Sequence, residues 1–284
     1  MRTVLVVFLS LTLGGAPAVS AQAAPADTSP PSHQAPFFTY RDAVLAGLFA
    51  AGTVAMAPVD VSVAKELQRP TRQESRFLQR TFTFFRFMGQ PAPQIIGVGL
   101  YGLGRLTHNV RMTRLAVHGS EAMLLGTAAT STIKLLAGRG RPYFDPNNNF
   151  DFGFGRGLKG TKYQSFPSGH ATTAFSVAAA ATAEFSHWVK ESGWPQEYKL
   201  LVGGVLFGGA SMVGVSRIYN NYHWASDVVT GAAIGTFSGI KIVRYNYRHP
   251  QNRVERFLVK ATLVPAGAGA PTRVFLSIEP TSEP

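Results

Sequence analysis

The chain has 284 residues and no cysteine, which excludes disulfides, thiol nucleophiles, Cys-ligated zinc and iron–sulfur clusters. Charged residues make up only 15%, against roughly 25% in an average soluble domain, and 27 Lys+Arg against 15 Asp+Glu leave a net charge of +12. That excess implies an anionic partner, whether phosphate, lipid or nucleic acid, while a mean hydropathy of +0.07 excludes wholesale disorder and is low for a chain of long apolar spans.

Residues 1–23 have the pattern of a signal peptide. Arg2 is the only charge before Asp27, Val4 to Leu13 is apolar, and Val19-Ser20-Ala21 or Ala21-Gln22-Ala23 suits a signal peptidase. An uncleaved anchor is the other reading; both send the chain to the export pathway. Residues 24–40 read as a Pro/Ser-rich linker, 41–250 as one helical domain and 251–284 as a tail.

Six apolar stretches bounded by ionisable residues predict an all-α bundle of about six core helices: Ala43–Val59, Phe87–Gly104, Ala122–Ile133, Ala171–Ala183, Leu200–Ser216 and Val228–Ile240. Three approach the ~20 residues of a bilayer span and three fall short. Gly204-x-x-x-Gly208, Gly231-x-x-x-Gly235 and Gly235-x-x-x-Gly239 predict close helix–helix approach. A cleaved signal with six spans would place the end of the third helix inside and the basic run Lys241 to Lys260 outside, against the positive-inside tendency. The balance therefore tips narrowly to an exported globular bundle that touches the membrane, ahead of a bundle in which at least one helix does not cross. Lys65 to Arg86 interleaves arginines with Phe77, Phe82, Phe84, Phe85 and Phe87 and reads as a solvated helix with one buried aromatic face, ahead of a helix lying on an anionic surface. Val259–Val264 and Thr272–Ile278 flank a Gly/Pro turn and predict a small β-hairpin.

The chemistry lies between Lys134 and Asp227, in three clusters at the ends of apolar stretches. Lys134 and Arg141-Pro142 close the third stretch, Pro167-Ser168-Gly169-His170 opens the fourth, and Ser216-Arg217 with His223 and Asp227 joins the fifth to the sixth. In an up-and-down bundle these four ends share one face. Lys134, Arg141 and Arg217 supply three cations for one anion, and the arginine fork matches phosphate oxygens. Ser168 can cap the fourth helix, so that the Ser168 and Gly169 N–H groups point at an oxyanion; Gly169, lacking Cβ, permits close approach. The i,i+4 spacing of His223 and Asp227 puts them on one helical face, where the carboxylate holds the Nδ1 proton and frees Nε2 as a nucleophile. His170 can protonate the leaving oxygen, and a pH profile with two limbs is expected.

The order Lys-x6-Arg-Pro, Pro-Ser-Gly-His, Ser-Arg-x5-His-x3-Asp resembles the type 2 phosphatidic acid phosphatase superfamily, which includes class A acid phosphatases and vanadium haloperoxidases. The resemblance covers about a third of the chain with no motif position altered. It implies a phosphohistidine on His223 oriented by Asp227, His170 as general acid, and Lys134, Arg141, Arg217, Ser168 and Gly169 as phosphate ligands, with no cofactor and no metal. The expected activity is hydrolysis of a phosphomonoester or pyrophosphate on a membrane lipid. A soluble broad-specificity periplasmic acid phosphatase is the alternative, followed by a haloperoxidase with vanadate on His223. A catalytically idle membrane-associated binding protein is disfavoured by the intact histidines and Asp227, and no nucleic-acid partner is expected. Gly97-Val-Gly-Leu-Tyr-Gly102 lacks the preceding strand of a dinucleotide site. The basic glycine-rich loop Gly153–Gly160 is either part of the site mouth or a plain surface loop.

Overall fold

The computed structural model describes residues 38–250, 252–264 and 273–276. The expected signal peptide (1–23), nearly all of the linker (24–40) and much of the tail (251–284) lie outside the described residues. α1 (Tyr40–Met56) continues through a 3-10 turn into α2 (Asp60–Leu67), followed by the single turn α3 (Pro70–Gln73) and by α4 (Arg76–Gly89). The main bundle is α5 (Ala92–Leu106), α6 (Val110–Ala137), α7 (Gly169–Ser192), α8 (Glu197–Tyr219) and α9 (Ala225–Arg248), with α1 packed on α9. The all-α expectation is met. The expected C-terminal hairpin also forms, β1 (Ala261–Val264) pairing antiparallel with β2 (Arg273–Leu276).

Three stretches that looked short lie within long helices. α6 has 28 residues and α7 and α9 have 24 each, or roughly 36–42 Å at 1.5 Å per residue. One ionisable residue that bounded each of those stretches sits inside its helix, held by a partner from another helix. Glu121 accepts from Asn246 Nδ2 at 2.7 Å, Glu184 lies 2.5 Å from His118 Nδ1, and Lys241 bonds Asp42. Pairing makes burial of such groups tolerable, so a charge does not end a helix here. The stretch Phe87–Gly104, by contrast, is two helices, because Pro91 interrupts it between α4 and α5.

The glycine pattern is half realised. Gly231, Gly235 and Gly239 lie one turn apart on α9, against the backbone of α7 at Ser168, Thr172 and Ser176. A Cβ on Gly235 would stand 2.8 Å from Ser176 N and 2.9 Å from Phe175 Cβ. Gly204 and Gly208 face no neighbour within 4 Å; α8 instead approaches its neighbours at Gly203 and Gly214, next to Thr182 and Val228. The core between α7 and α8 is small-residue packing of Ala174, Ala178, Ala210 and Val213, closed by Phe85 and Met88 of α4.

The aromatics of α4 do not form one buried face. Phe82 is buried against Tyr219, with ring centroids 4.4 Å apart, and Phe85 packs on the core, whereas Phe77, Phe84 and Phe87 are exposed. Among the described residues, two helical segments are long and apolar enough to cross a bilayer, Tyr40–Leu67 and Glu197–Tyr219. Only 6% of the apolar window of the first is buried. Helix α9 runs antiparallel to α6, since Asn246 meets Glu121 near one end while Asp227 pairs with Arg139, just beyond the other. Arg244 and Arg248 therefore lie at the end of the bundle away from Lys134.

Candidate active site

Four helix ends meet where the clusters predicted: the C-termini of α6 and α8 and the N-termini of α7 and α9. α6 stops at Gly138, which adopts the left-handed conformation (φ 54°). One turn earlier Lys134 Nζ donates to Gln164 O at 2.8 Å and Pro167 O at 2.6 Å, which ties α6 to the turn before α7. Arg141 is aimed by donation from Nε to Thr161 O at 2.8 Å. Arg217, in the last turn of α8, is buried with its Nε unpartnered. The ring of Tyr222 lies under both guanidinium groups, 5.2 Å from Arg141 and 4.8 Å from Arg217. Such cation–π contact steadies two like charges beside each other.

Ser168 is the N-cap of α7 in position only. Its hydroxyl is buried with no partner, and its N–H donates to Asp227 O at 2.9 Å, so it is not aimed at an anion as expected. The free polar group is therefore the hydroxyl. Gly169 opens the helix, and a Cβ there would meet nothing within 4 Å, so a ligand has room against the helix N-terminus.

The two histidines belong to different elements. His170 is in the first turn of α7, and His223 is in the α8–α9 connection, fully enclosed. His223 and Asp227 do not share a helical face, because α9 begins only at Ala225. Asp227, in the first turn, reaches back toward the connection: its Oδ2 accepts from Trp224 N at 2.9 Å and Ser165 Oγ at 2.5 Å, and lies 3.5 Å from His223 Nδ1. The last distance is an electrostatic contact, longer than a formed hydrogen bond. Burial pushes His223 down to about 3, with Asp227 pulling the other way. Burial and the cations Arg217, Arg86, Lys134 and Arg141 likewise push His170 down to about 3. Both imidazoles are thus biased toward the neutral form. Asp227 is held at about 2, because Arg139, His223 and Ser165 outweigh the effect of burial.

Sequence reasoning passed over Arg139, Asp60, Ser165, Ser226, Tyr222 and Arg86. Arg139 was in view inside the first cluster, and its place between two glycines marked it only faintly. Asp60 carries no local signal, since it merely follows the apolar stretch Ala43–Val59, 74 residues before Lys134. The loop Gly153–Gly160 braces the end of α6: Arg156 donates to Gly138 O at 3.2 Å and pairs with Asp151 at 2.6 Å, and Gly157 packs on Lys134 O.

Residues 116–251 match the PAP2 superfamily, and this region contains all three clusters. Over 83 residues it is 41% identical to the lipid A 1-phosphatase of Porphyromonas gingivalis, covering 28% of this chain and 16% of that protein. It is 29% identical over 144 residues to lipid phosphate phosphatase 1 of Arabidopsis thaliana, covering 45% of this chain and 43% of that one. A PA-phosphatase related-family protein of Dictyostelium discoideum is 25% identical over 191 residues, 61% of this chain and 66% of the relative. The chain thus spans less than two thirds of each of these relatives. Among solved structures, a transmembrane PAP2-type phosphatidylglycerolphosphate phosphatase from Bacillus subtilis shares the fold. Its TM-score is 0.50 at 22% identity, over 76% of this chain and 100% of that one.

Proposed function

We propose that the protein is a membrane-associated phosphatase that removes a phosphomonoester or pyrophosphate group from a lipid through a phosphohistidine intermediate. The observation that carries this reading is one enclosed site: His223 backed by Asp227, His170 on the adjoining helix, and Lys134, Arg141 and Arg217 grouped at the same end of the bundle. The three cations and the Ser168 hydroxyl hold the phosphoryl oxygens, and Gly169 leaves room for them. Asp227 keeps the proton of His223 on Nδ1, so the Nε2 lone pair attacks phosphorus as the bond to the leaving oxygen breaks. The negative charge of the bound phosphate offsets the surrounding cations and lets His170 carry the proton it gives to that oxygen. Water then attacks the phosphohistidine, returns a proton to His170, and the P–N bond breaks. On this reading no step calls for a metal.

A lipid is favoured by what adjoins the site. An apolar groove of about 360 Å³ runs between α4, α5, α6, α7 and α8, lined by Met88, Ile96, Leu100, Met123, Ala174 and Val213 among others. Its lining residue Val213 neighbours Gly89, where a Cβ would stand 2.6 Å from Val213 Cγ1 and 3.1 Å from His170 Cδ2. The exposed apolar segment Tyr40–Leu67 and α8 supply the membrane contact. The relatives named for lipid phosphates point the same way. The signal-like residues 1–23 add an expected location in a bacterial-type cell envelope.

The test is phosphate release in EDTA by the wild type and by His223→Ala, on lipid phosphates and pyrophosphates beside a soluble aryl phosphate. Turnover of lipids by the wild type alone is expected. Undiminished release by His223→Ala refutes the mechanism, and equal turnover of the aryl phosphate replaces the lipid reading by a broad-specificity one. Loss of turnover in EDTA refutes metal independence.

A further inference from the structure

Asp60 lies outside the matched region, at the start of α2, and is fully buried. Its carboxylate accepts from Arg139 Nη2 at 2.8 Å, Ser226 N at 2.8 Å and Ser226 Oγ at 2.6 Å. Arg139 is itself 2% exposed. Its Nη1 donates to Asp227 Oδ1 at 2.5 Å and Ser226 Oγ at 2.8 Å, and its Nε to Asn149 O at 2.8 Å. The rings of Phe152 and Trp224 flank the guanidinium, 4.9 and 5.6 Å from it. One buried guanidinium therefore joins two buried carboxylates, only the second of which faces a histidine.

The charges decide what this arrangement does. Arg139 alone against Asp227 would form a neutral pair, and His223 would face little net charge. Asp60 neutralises Arg139, so the trio carries one net negative charge, placed beside His223. Low local polarity makes that difference count more than it would in water. The same bonds fix the rotation of the Asp227 carboxylate, leaving Oδ2 toward the imidazole.

We infer that Asp60 and Arg139 are positioning residues that hold Asp227 in place and leave its negative charge available to His223. The inference rests on the phosphatase reading. Neither residue is among the groups assigned to the phosphate, so removing Asp60 slows the chemical step without weakening phosphate binding.

The experiment uses the full chain. Asp60→Asn is expected to lower kcat roughly 10–100-fold, the range seen when outer partners of functional ligands are removed, with KM and the inhibition constant of inorganic phosphate unchanged. In an Asp227→Asn background, Asp60→Asn should cause little further loss, measured as single-turnover phosphoenzyme formation, because it acts through Asp227. An unchanged kcat in the single variant overturns the inference, as does a full additional loss in the double variant. If Asp60→Asn fails to bind phosphate at all, Ser226→Ala carries the test, since it removes only the hydroxyl bonded to both Asp60 and Arg139. Wild-type kcat in Ser226→Ala then overturns the inference; a lowered kcat with phosphate inhibition retained supports it. A wild type inactive on every phosphate ester sinks the phosphatase reading and the inference together. An active wild type with an indifferent Asp60→Asn sinks the inference alone.

Discussion

The α7–α9 contact can be tested by putting one methyl group at different points along it. Gly235→Ala places a Cβ 2.8 Å from Ser176 N and 2.9 Å from Phe175 Cβ, with Thr172 O nearer still. All but Phe175 Cβ are backbone atoms, so relief requires the helices to part by several tenths of an ångström. Overpacking of this kind costs about 1–3 kcal/mol, offset by up to about 1 kcal/mol for the better helix propensity of alanine. A net loss of about 1–2 kcal/mol corresponds to a midpoint of thermal unfolding lower by roughly 2–8 °C. Gly239→Ala, 2.6 Å from Ser176 O, should behave alike. Gly208→Ala has open space and keeps only the propensity gain, so its midpoint should hold or rise. Activity separates the three positions of α9. Gly231 lies against the carbonyl of Ser168, so Gly231→Ala displaces the start of α7 and should lower kcat by about 10²-fold. Gly239→Ala, three turns from Asp227, should leave kcat near wild type. Midpoints that move in the same direction in Gly235→Ala and Gly208→Ala would refute the close apposition. Equal activity losses in Gly231→Ala and Gly239→Ala would refute the link from that contact to the site.

Two further expectations concern charge. Burial and the nearby Arg141 and Arg217 hold the Lys134 ammonium down at about 8, against the upward pull of Asp227. A cation needed in its protonated form is lost as pH rises through that value, so kcat/KM should fall and inorganic phosphate should inhibit less well above pH 8. Lys134→Arg should carry this limb to higher pH, and an unmoved limb assigns it elsewhere. The Lys241–Asp42 pair is buried between α9 and α1. Lys241→Met leaves the Asp42 carboxylate with hydrogen bonds from Thr39 but no counter-charge, and should lower stability in denaturant unfolding. Adding Asp42→Leu should recover most of that loss, and a double variant no better than the single one contradicts the pairing.

The helices and the cluster residues were legible because apolar periodicity and motif spacing are local signals. Two kinds of feature were not. Helix length was underestimated wherever an ionisable residue was read as an end, since Glu121, Glu184 and Lys241 find their partners on other helices. No local pattern shows that Asp42 will meet Lys241, or that Asp60 will meet Arg139. The glycine spacing was ambiguous for the same reason: Gly204/Gly208 and Gly231/Gly235 read alike, and only the arrangement of the bundle decides which pair another backbone approaches. The i,i+4 spacing of His223 and Asp227 named the right partners for the wrong geometric reason, because the helix starts between them.

The spacing from Lys134 to Arg141 has a physical reading once both arginines are placed. Gly138 ends α6 in a left-handed turn, and the chain continues with Gly140 N bonded to Asp151 O at 2.8 Å and Arg141 N to Lys162 O at 2.9 Å. Arg139 reaches inward to Asp227 and Asp60, while Arg141 lies over Tyr222 at the mouth. The indole of Trp224 intervenes by donating to Gly140 O at 3.0 Å. A side chain on Gly140 would meet Asp151 Oδ2 at 2.5 Å, so glycine is what lets the backbone pass there. The segment thus serves the histidine and the anion from two sides of one short strand of chain. Exchanging Arg139 and Arg141 in thought makes the asymmetry plain: only the inner one is balanced by carboxylates, which leaves the outer one's charge for the phosphate.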